Sequence, residues 1–320
     1  MCKRNFENDL FFISLACIYC AVFILISYHY SLNLEFEGDT QQYFYAFNEI
    51  KSTPFPWRGE FVTSCIMLFV NTMGGDFRFY LFVCLLMWIP VLFHLMISAK
   101  RNFFIVFLCL FFLLPYFIGN VLFLIRQFHA ALFFLFFVFY CHKRKNARLI
   151  TALLFTLSVG SHISAVIWFV FFNNKIKVWL AKPIVVFLMV TISFVMFLMQ
   201  IDAVSMLVNS LIELSNVLGV VEIERKLLFY TSGESMDAVP VTYQYILLSF
   251  MIVFFSVFLL VKKKDDNSFY LLSLTQSLLL LVLSDNVVAA NRFGFFAFYF
   301  SIPLVIILFS FCFKKRRVTF

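Results

Sequence analysis

The residues best placed to do chemistry stand in a strongly apolar stretch, where Arg126 and His129 are three positions apart. That spacing puts both side chains on one face of a helix. An arginine inside a membrane helix costs about 2.5–3.5 kcal/mol on insertion scales, and the cost is usually accepted where the charge meets a partner or a ligand. An inward-facing cationic pair near a membrane surface suits an anionic lipid headgroup, such as a phosphate or pyrophosphate.

Two other interpretations of Arg126 remain open. If its helix begins near Asn120, Arg126 lies about 9 Å along it, close enough for the side chain to snorkel to the surface. Alternatively, Arg126 forms a buried pair with a loop carboxylate such as Asp39.

Asp39 belongs to a polar segment that follows the first apolar run. Its carboxylate could accept a hydrogen bond from a sugar hydroxyl or act as a base. It could equally cap a short helix, because Gln42 stands three residues later, as in a capping box. In the same segment Tyr43, Trp57 and Arg58 could stack on or bond a sugar, or they could belong to an interfacial aromatic belt.

His162 and Ser164 lie in the sequence Ser-His-Ile-Ser at 161–164. A serine nucleophile with a histidine base would need an orienting acid and an oxyanion hole, and no Gly-x-Ser-x-Gly motif surrounds either serine. Hydrolase chemistry is therefore weakly supported, and we predict His162 and Ser164 as candidate site residues. The alternative for His162 is a hydrogen bond between membrane helices.

Three further candidates lie towards the carboxyl end of the chain. Arg225 and Tyr230 fall in a mixed Glu/Arg segment and could bind substrate, although such a mixture is typical of a solvated helix face. Arg292 opens the last apolar run, either as a substrate contact or as an interfacial anchor.

The amino-acid composition indicates a protein that is embedded in a lipid bilayer. Of 320 residues, 63% are hydrophobic and only 13% are charged, and 49 are phenylalanine, whereas soluble domains carry about 25% charged residues. The net charge of +8 comes from short clusters between apolar runs and does not indicate nucleic-acid binding. Cys17 and Cys20 have Cys-x-x-Cys spacing without a second pair or a histidine cluster, so we predict no metal site and no cofactor.

The positive clusters predict the topology, because lysine and arginine accumulate on the cytoplasmic side. The clusters lie at 3–4, 100–101, 143–148, 175–182, 262–264 and 314–317. Keeping all of them inside requires that the run 61–73 does not fully cross, and that the run 148–172 crosses an even number of times. We therefore predict a short helical hairpin at 148–172 that turns at 160–162.

The predicted fold is all-α: one polytopic integral membrane domain over 1–320, with about ten transmembrane helices and both termini cytoplasmic. Its outward-facing segments are 29–78, 201–242 and 285–291. The apolar half-helices of the hairpin are tolerated only where protein or a wet cavity covers the broken backbone. His162 would then lie at the hairpin tip, approachable from the outer side.

This ordered pattern resembles the Wzy-type polymerases of O-antigen and exopolysaccharide repeat units, especially the EpsG-like branch. The matching features are spread along the whole chain: Gly38-Asp39-Thr-Gln-Gln-Tyr43, Ile125-Arg126-Gln127-x-x-Ala130, His162-x-Ser164-Ala165 and Asn291-Arg292.

The resemblance implies metal-independent glycosyl transfer at the outer face of a bacterial inner membrane. The substrate would be an undecaprenyl-pyrophosphate-linked oligosaccharide, and a chain-length regulator protein would be a further partner. Arg126 and Arg292 would hold the pyrophosphate, and Asp39 or His162 would take the proton from the attacking hydroxyl. Two other classes remain: a flippase using the same cations without chemistry, and a membrane acyltransferase centred on His162.

Overall fold

A computed structural model shows how these segments fold, and every element that it describes is helical. The described residues are 2–57, 59–99, 118, 121–141, 148–201, 206, 209–210, 241–262, 268–294, 296–301 and 304. They divide into two compact units, one of residues 1–166 with 302–320 and one of residues 167–301. The prediction of a single domain over 1–320 stays a prediction.

The first unit contains seven of the described helices. They are α1 (Cys2–Asn33), α2 (Asp39–Asn48), α3 (Phe61–Thr72), α4 (Phe77–Leu86), α5 (Ile89–Ala99), α6 (Ile125–Phe136) and α7 (Arg148–Ser161). Helix α1 packs on α4 and α5, while α3 packs on α4, α6 and α7. The interior is aromatic, with Tyr80, Trp88 and Phe128 fully buried.

Short polar bonds tie the unit together where helices approach each other. Ser158 Oγ on α7 donates to the carbonyl of Ala130 on α6 across 2.8 Å. Thr40 Oγ1 on α2 donates to the carbonyl of Leu122 across 3.1 Å. Bonds of this kind satisfy buried hydroxyls in an apolar interior, and the second one places the short helix α2 against the segment that leads into α6.

The helix break predicted at 160–162 is present. Helix α7 ends at Ser161, His162 takes an extended conformation (φ −155°, ψ 125°), and a 3₁₀ turn follows at Ile163–Ala165. The His162 side chain accepts a hydrogen bond from the Ser164 backbone N–H, which caps the new turn. The reversal of the chain across the membrane at this point stays a prediction.

Helix α8 (Val166–Val170) begins at the last residue of the first unit and continues in the second. The second unit also contains α9 (Asn174–Leu180), α10 (Pro183–Leu198), α11 (Tyr243–Lys262) and α12 (Ser268–Val282). The buried side of α11 follows a four-three spacing through Tyr245, Ser249, Ile252, Ser256 and Leu259. Two serines on this stripe let α12 approach closely, as small residues do between membrane helices. A π-helical turn, Ala290–Gly294, packs on α12, where a Cβ at Gly294 would meet the Leu280 Cα at 2.8 Å.

Three described helices are long and apolar enough to cross a membrane: Leu10–Asn33, Phe77–Ile97 and Tyr243–Lys262. A fourth span results if Ile163–Val170 and Asn174–Leu180 are counted as one broken span. Helix α10 buries none of its apolar residues within the described structure, so bilayer lipid is the natural cover for its surface. The chain is therefore an all-helical protein with the features of a multi-pass membrane protein, and the predicted count of about ten helices stays a prediction.

Candidate functional site

Arg126 stands in the first turn of α6. We expected a helix from near Asn120, but the helical path breaks at Leu124 (φ −116°, ψ 49°) and α6 begins at Ile125. The guanidinium is thereby held just after a break in the helical path, at the start of a buried apolar helix.

The carboxylate partner of Arg126 is Glu60, which sequence reasoning missed. Arg126 Nη1 donates to Glu60 Oε2 across 2.6 Å, and the two side chains are 22% and 14% exposed. Arg126 Nε donates to the Tyr43 hydroxyl across 3.2 Å, and the guanidinium carbon lies 5.1 Å from the centre of the Trp57 ring. The site is thus a half-buried cation held by a carboxylate, a phenol and an aromatic face.

Glu60 also contacts the helix break. Its Oε1 accepts a hydrogen bond from the Ile163 backbone N–H across 3.2 Å and lies 3.9 Å from His162 Nε2. At 3.9 Å the histidine contact is longer than a hydrogen bond. The structure therefore brings Arg126 and His162, two of the predicted catalytic residues, to the same carboxylate.

His162 and Ser164 form a local pair. His162 Nδ1 lies 2.7 Å from Ser164 Oγ and accepts the Ser164 backbone N–H across 3.4 Å. Because a backbone N–H can only donate, Nδ1 is an acceptor, and a neutral ring then carries its proton on Nε2. That N–H faces Glu60.

Gly160 allows this close approach of α7 to α3. A Cβ built on Gly160 would come within 2.5 Å of the Phe61 ring. Phe61 directly follows Glu60, so the glycine lets the turn with His162 and Ile163 reach the carboxylate.

His129 does not join Arg126 at the open part of the site. Its side chain is fully buried, and Nδ1 lies 3.1 Å from Thr63 Oγ1 on α3. Nε2 has no hydrogen-bond partner among the described residues. His129 lies three residues after Arg126 on α6, and its side chain is buried between α3 and α6. The predicted inward-facing cationic pair is therefore not formed: Arg126 is half-buried at the site, and the His129 imidazole is buried away from it. A substrate contact by His129 stays a prediction.

Tyr43 is buried on α2, and its ring lies 5.3 Å from that of Trp57. Burial raises the pKa of Tyr43, and the nearby positive charge of Arg126 opposes that shift. The phenol therefore stays protonated, and its oxygen accepts the hydrogen bond from Arg126 Nε.

Asp39 lies on the same helix as Tyr43. Gly38 (φ 57°) occupies the N-cap and Asp39 is the first helical residue, so Asp39 lies one position after the cap expected from the sequence. The negative charge of Asp39 reaches Tyr43, whose pKa it raises. Its predicted catalytic role stays a prediction.

Arg58, Arg225 and Tyr230 lie outside the described residues. The backbone of Arg292 belongs to the π-helical turn Ala290–Gly294, while its side chain lies outside the described structure. Within the described ranges, no group of three His, Cys, Asp or Glu side chains is arranged to hold a metal ion.

An apolar groove adjoins the site. It encloses about 420 Å³ between α3, α4, α6 and α7, and its lining residues are Phe61, Val62, Cys65, Ile66, Phe69, Val83, Met87, Phe133 and Leu157. Phe61, Cys65 and Phe69 are exposed along it. Phe61, which lines the groove, directly follows Glu60 in the sequence.

Comparison with known proteins gives one match. The model of the EpsG family matches residues 16–320, while no curated protein and no solved structure matches the chain. The match spans nearly the whole chain and includes every described residue of the site. This chain therefore belongs to the EpsG family, which is associated with exopolysaccharide biosynthesis.

Proposed function

We propose that this chain polymerises lipid-linked oligosaccharide repeat units into an exopolysaccharide or O-antigen. In the proposed reaction, a growing glycan leaves undecaprenyl pyrophosphate and joins the non-reducing sugar of a new lipid-linked repeat unit. The reaction would take place at the outer face of a bacterial inner membrane. Membership of the EpsG family supports a role in polysaccharide biosynthesis, and the arrangement around Arg126 supports the particular step.

The observation that carries the proposal is the unused capacity of Arg126. A guanidinium has five N–H donors in a fixed fork, and Arg126 donates two hydrogen bonds among the described residues, to Glu60 and Tyr43. Three N–H groups remain for oxygens of a phosphate. The Arg126 side chain is 22% exposed, which leaves room for a ligand. Its charge is also partly shielded from water, so its electrostatic attraction for an anion is stronger than in bulk water.

Arg126 would stabilise the pyrophosphate as it leaves the anomeric carbon. When the bond from the anomeric carbon to the pyrophosphate breaks, negative charge builds on the leaving oxygen. A guanidinium already held in place by Glu60 and Tyr43 stabilises that charge without further reorganisation. The scheme uses this cation for the leaving group and requires no metal ion or cofactor.

The apolar groove supports a lipid-linked substrate. Its wall is almost entirely hydrocarbon and aromatic, and Phe61 at one end follows Glu60. Part of an isoprenoid chain lying in the groove would place the attached pyrophosphate beside Arg126. The roles proposed for Arg58, Arg225, Tyr230 and Arg292 are substrate contacts, and a chain-length regulator is a proposed protein partner.

The main alternative is a flippase for the same lipid-linked glycan. It would use Arg126 to bind the headgroup and would move the lipid without breaking the glycosidic bond to pyrophosphate. Family membership accommodates both activities, because repeat units must be both moved and joined during exopolysaccharide assembly.

A deletion strain separates the two activities by the step at which assembly stops. Without a polymerase, single repeat units still reach the outer leaflet or its final acceptor, and the ladder of longer glycans disappears. Without a flippase, all surface sugar is lost and repeat units accumulate on the inner leaflet. We expect single surface units, restored to a ladder by the wild-type gene; repeats trapped inside would reject the polymerase in favour of the flippase.

A further inference from the structure

We propose that Glu60 is the group that accepts the proton of the attacking sugar hydroxyl. The inference rests on the proposed function, since it assigns a catalytic residue to that transfer. Asp39 and His162 were the bases expected from the sequence, and the contacts of Glu60 favour it over both.

The carboxylate of Glu60 is held by both of its oxygens. Oε2 lies 2.6 Å from Arg126 Nη1, and Oε1 accepts the Ile163 N–H across 3.2 Å. A carboxylate oxygen has lone pairs for more than one hydrogen bond, so each oxygen can still accept from a sugar hydroxyl. The side chain is 14% exposed, which leaves it reachable from the site.

Glu60 lies beside the proposed pyrophosphate site, because both would contact Arg126. The base and the group that binds the leaving pyrophosphate must both lie close to the anomeric carbon. Glu60 occupies Nη1, while Nη2 makes no hydrogen bond to a described residue. One guanidinium can therefore hold the base on one nitrogen and the pyrophosphate on the other.

His162 is arranged as a donor. Its Nδ1 accepts the Ser164 backbone N–H, so a neutral ring carries its proton on Nε2, which faces Glu60 Oε1 at 3.9 Å. In this tautomer the nitrogen that faces the site cannot accept a proton. It can instead donate to Glu60 or to a sugar oxygen, which makes His162 a positioning residue.

Glu60, and not Asp39, is the carboxylate that the structure pairs with Arg126. Asp39 is the first residue of α2, and its negative charge acts on Tyr43. The Tyr43 hydroxyl in turn accepts a hydrogen bond from Arg126. Glu60 touches the guanidinium itself. A base has to be within hydrogen-bond reach of the proton that it removes, and a substrate bound to Arg126 brings its reacting carbon closer to Glu60.

The proposed step balances as follows. The acceptor hydroxyl oxygen forms a bond to the anomeric carbon of the donor glycan, and its proton passes to a Glu60 oxygen. The bond between the anomeric carbon and the pyrophosphate oxygen breaks, and its electron pair stays on the pyrophosphate beside Arg126. The products are the extended glycan and undecaprenyl pyrophosphate, and Glu60 then loses its proton to water at the outer surface.

The test compares Glu60→Gln with Glu49→Gln in the full chain reconstituted in nanodiscs. Glu49 is an exposed carboxylate just after α2 and serves as the matched control. The measurements are kcat and KM with a polyprenyl-pyrophosphate-linked repeat unit, and the Kd of inorganic pyrophosphate, read from the fluorescence of Trp57 above Arg126. Glutamine keeps an oxygen for Arg126 but cannot take up the hydroxyl proton.

We expect Glu60→Gln to lower kcat by about 10²–10⁴-fold, the range of general base catalysis, with KM and the pyrophosphate Kd within about threefold of wild type. Glu49→Gln should match wild type. Glu60→Asp keeps the charge that Arg126 needs for folding, and it should retain more activity than Glu60→Gln.

Three outcomes would overturn the assignment. One is a kcat for Glu60→Gln close to wild type. Another is a loss explained by weaker pyrophosphate binding, which would make Glu60 only a support for Arg126. The third is a full loss of kcat in Asp39→Asn with Glu60→Gln still active. A wild-type chain that transfers no glycan would instead reject the proposed function, and the Glu60 assignment with it.

Discussion

The backbone N–H of Ile163 donates a hydrogen bond to Glu60 Oε1, joining two segments that are 103 residues apart in the chain. The other oxygen of the same carboxylate pairs with Arg126. One residue just ahead of α3 therefore fixes both the start of α6 and the turn that follows α7. A substitution at Arg126 should therefore alter the position of the turn that contains His162, although no described contact joins Arg126 to His162 directly.

Arg126→Ala should abolish polymerisation and lower the amount of inserted protein. Removing one partner of a buried ion pair costs about 3–5 kcal/mol, and the partial exposure of this pair reduces that cost. Arg126→Lys should restore the protein level but recover little polymerisation, because an ammonium group lacks the fork that binds two phosphate oxygens. Immunoblots of membranes and glycan ladders measure the two effects.

A double variant separates the structural and the functional parts of Arg126. Adding Glu60→Gln to Arg126→Ala removes the stranded charge, so the protein level should rise while polymerisation stays absent. The protein levels of the wild type, the two single variants and the double variant form a double-mutant cycle. Their departure from additivity measures the coupling between Arg126 and Glu60. Full-length ladders from Arg126→Ala at a normal protein level would remove Arg126 from the site.

His129→Ala should act on stability. The buried imidazole bonds Thr63 Oγ1, and losing a buried hydrogen bond of this kind costs about 1–3 kcal/mol. Thermal unfolding in detergent should show a lower Tm, while the KM for lipid-linked substrate should hardly change in the protein that remains folded. His129→Asn, which can keep a polar atom near the Nδ1 position, should be milder. A large rise in KM at unchanged Tm would instead place His129 in the substrate site.

Cys65→Trp should obstruct the apolar groove. Cys65 is exposed and free and lines the groove beside Phe61, so an indole there competes with an isoprenoid chain for the same space. The KM for a substrate with a long polyprenyl chain should rise by about tenfold, which corresponds to 1.4 kcal/mol, while a substrate with a short chain should be little affected. Cys17→Trp, at an exposed cysteine of α1, is the control. Equal effects at both positions would mean that the groove does not hold the lipid chain.

Cysteine labelling tests the hairpin. In a chain with its eight native cysteines replaced by alanine, Asn146→Cys and Asn174→Cys should both resist an impermeant thiol reagent added to intact spheroplasts. Both positions lie beside positive clusters that should be cytoplasmic. Thr53→Cys, in the outward segment 29–78, should react. Labelling at position 174 with protection at position 146 would refute the hairpin.

Local sequence was sufficient for the class of protein and for several site residues. Long apolar runs with few charges require helices that satisfy their own backbone hydrogen bonds in a bilayer, and the described elements are all helical. The break at 160–162 coincides with the turn predicted from the positive clusters on both sides of one apolar run, while the even number of crossings stays a prediction. Arg126 was recognisable because a charge in such a stretch is costly.

The partners of those residues depended on tertiary structure. Glu60 and Arg126 are 66 positions apart, and no helical or strand period relates residues at such a distance. The only local signal for Glu60 was its position directly before an apolar run, and many surface carboxylates occupy such a position. The depth of His129 likewise depended on where α3 packs, since the period of α6 gives the face of a side chain but not what covers it. Sequence periodicity thus determined the helices and their faces, whereas the packing of α3 against α6 and α7 decided which polar groups meet.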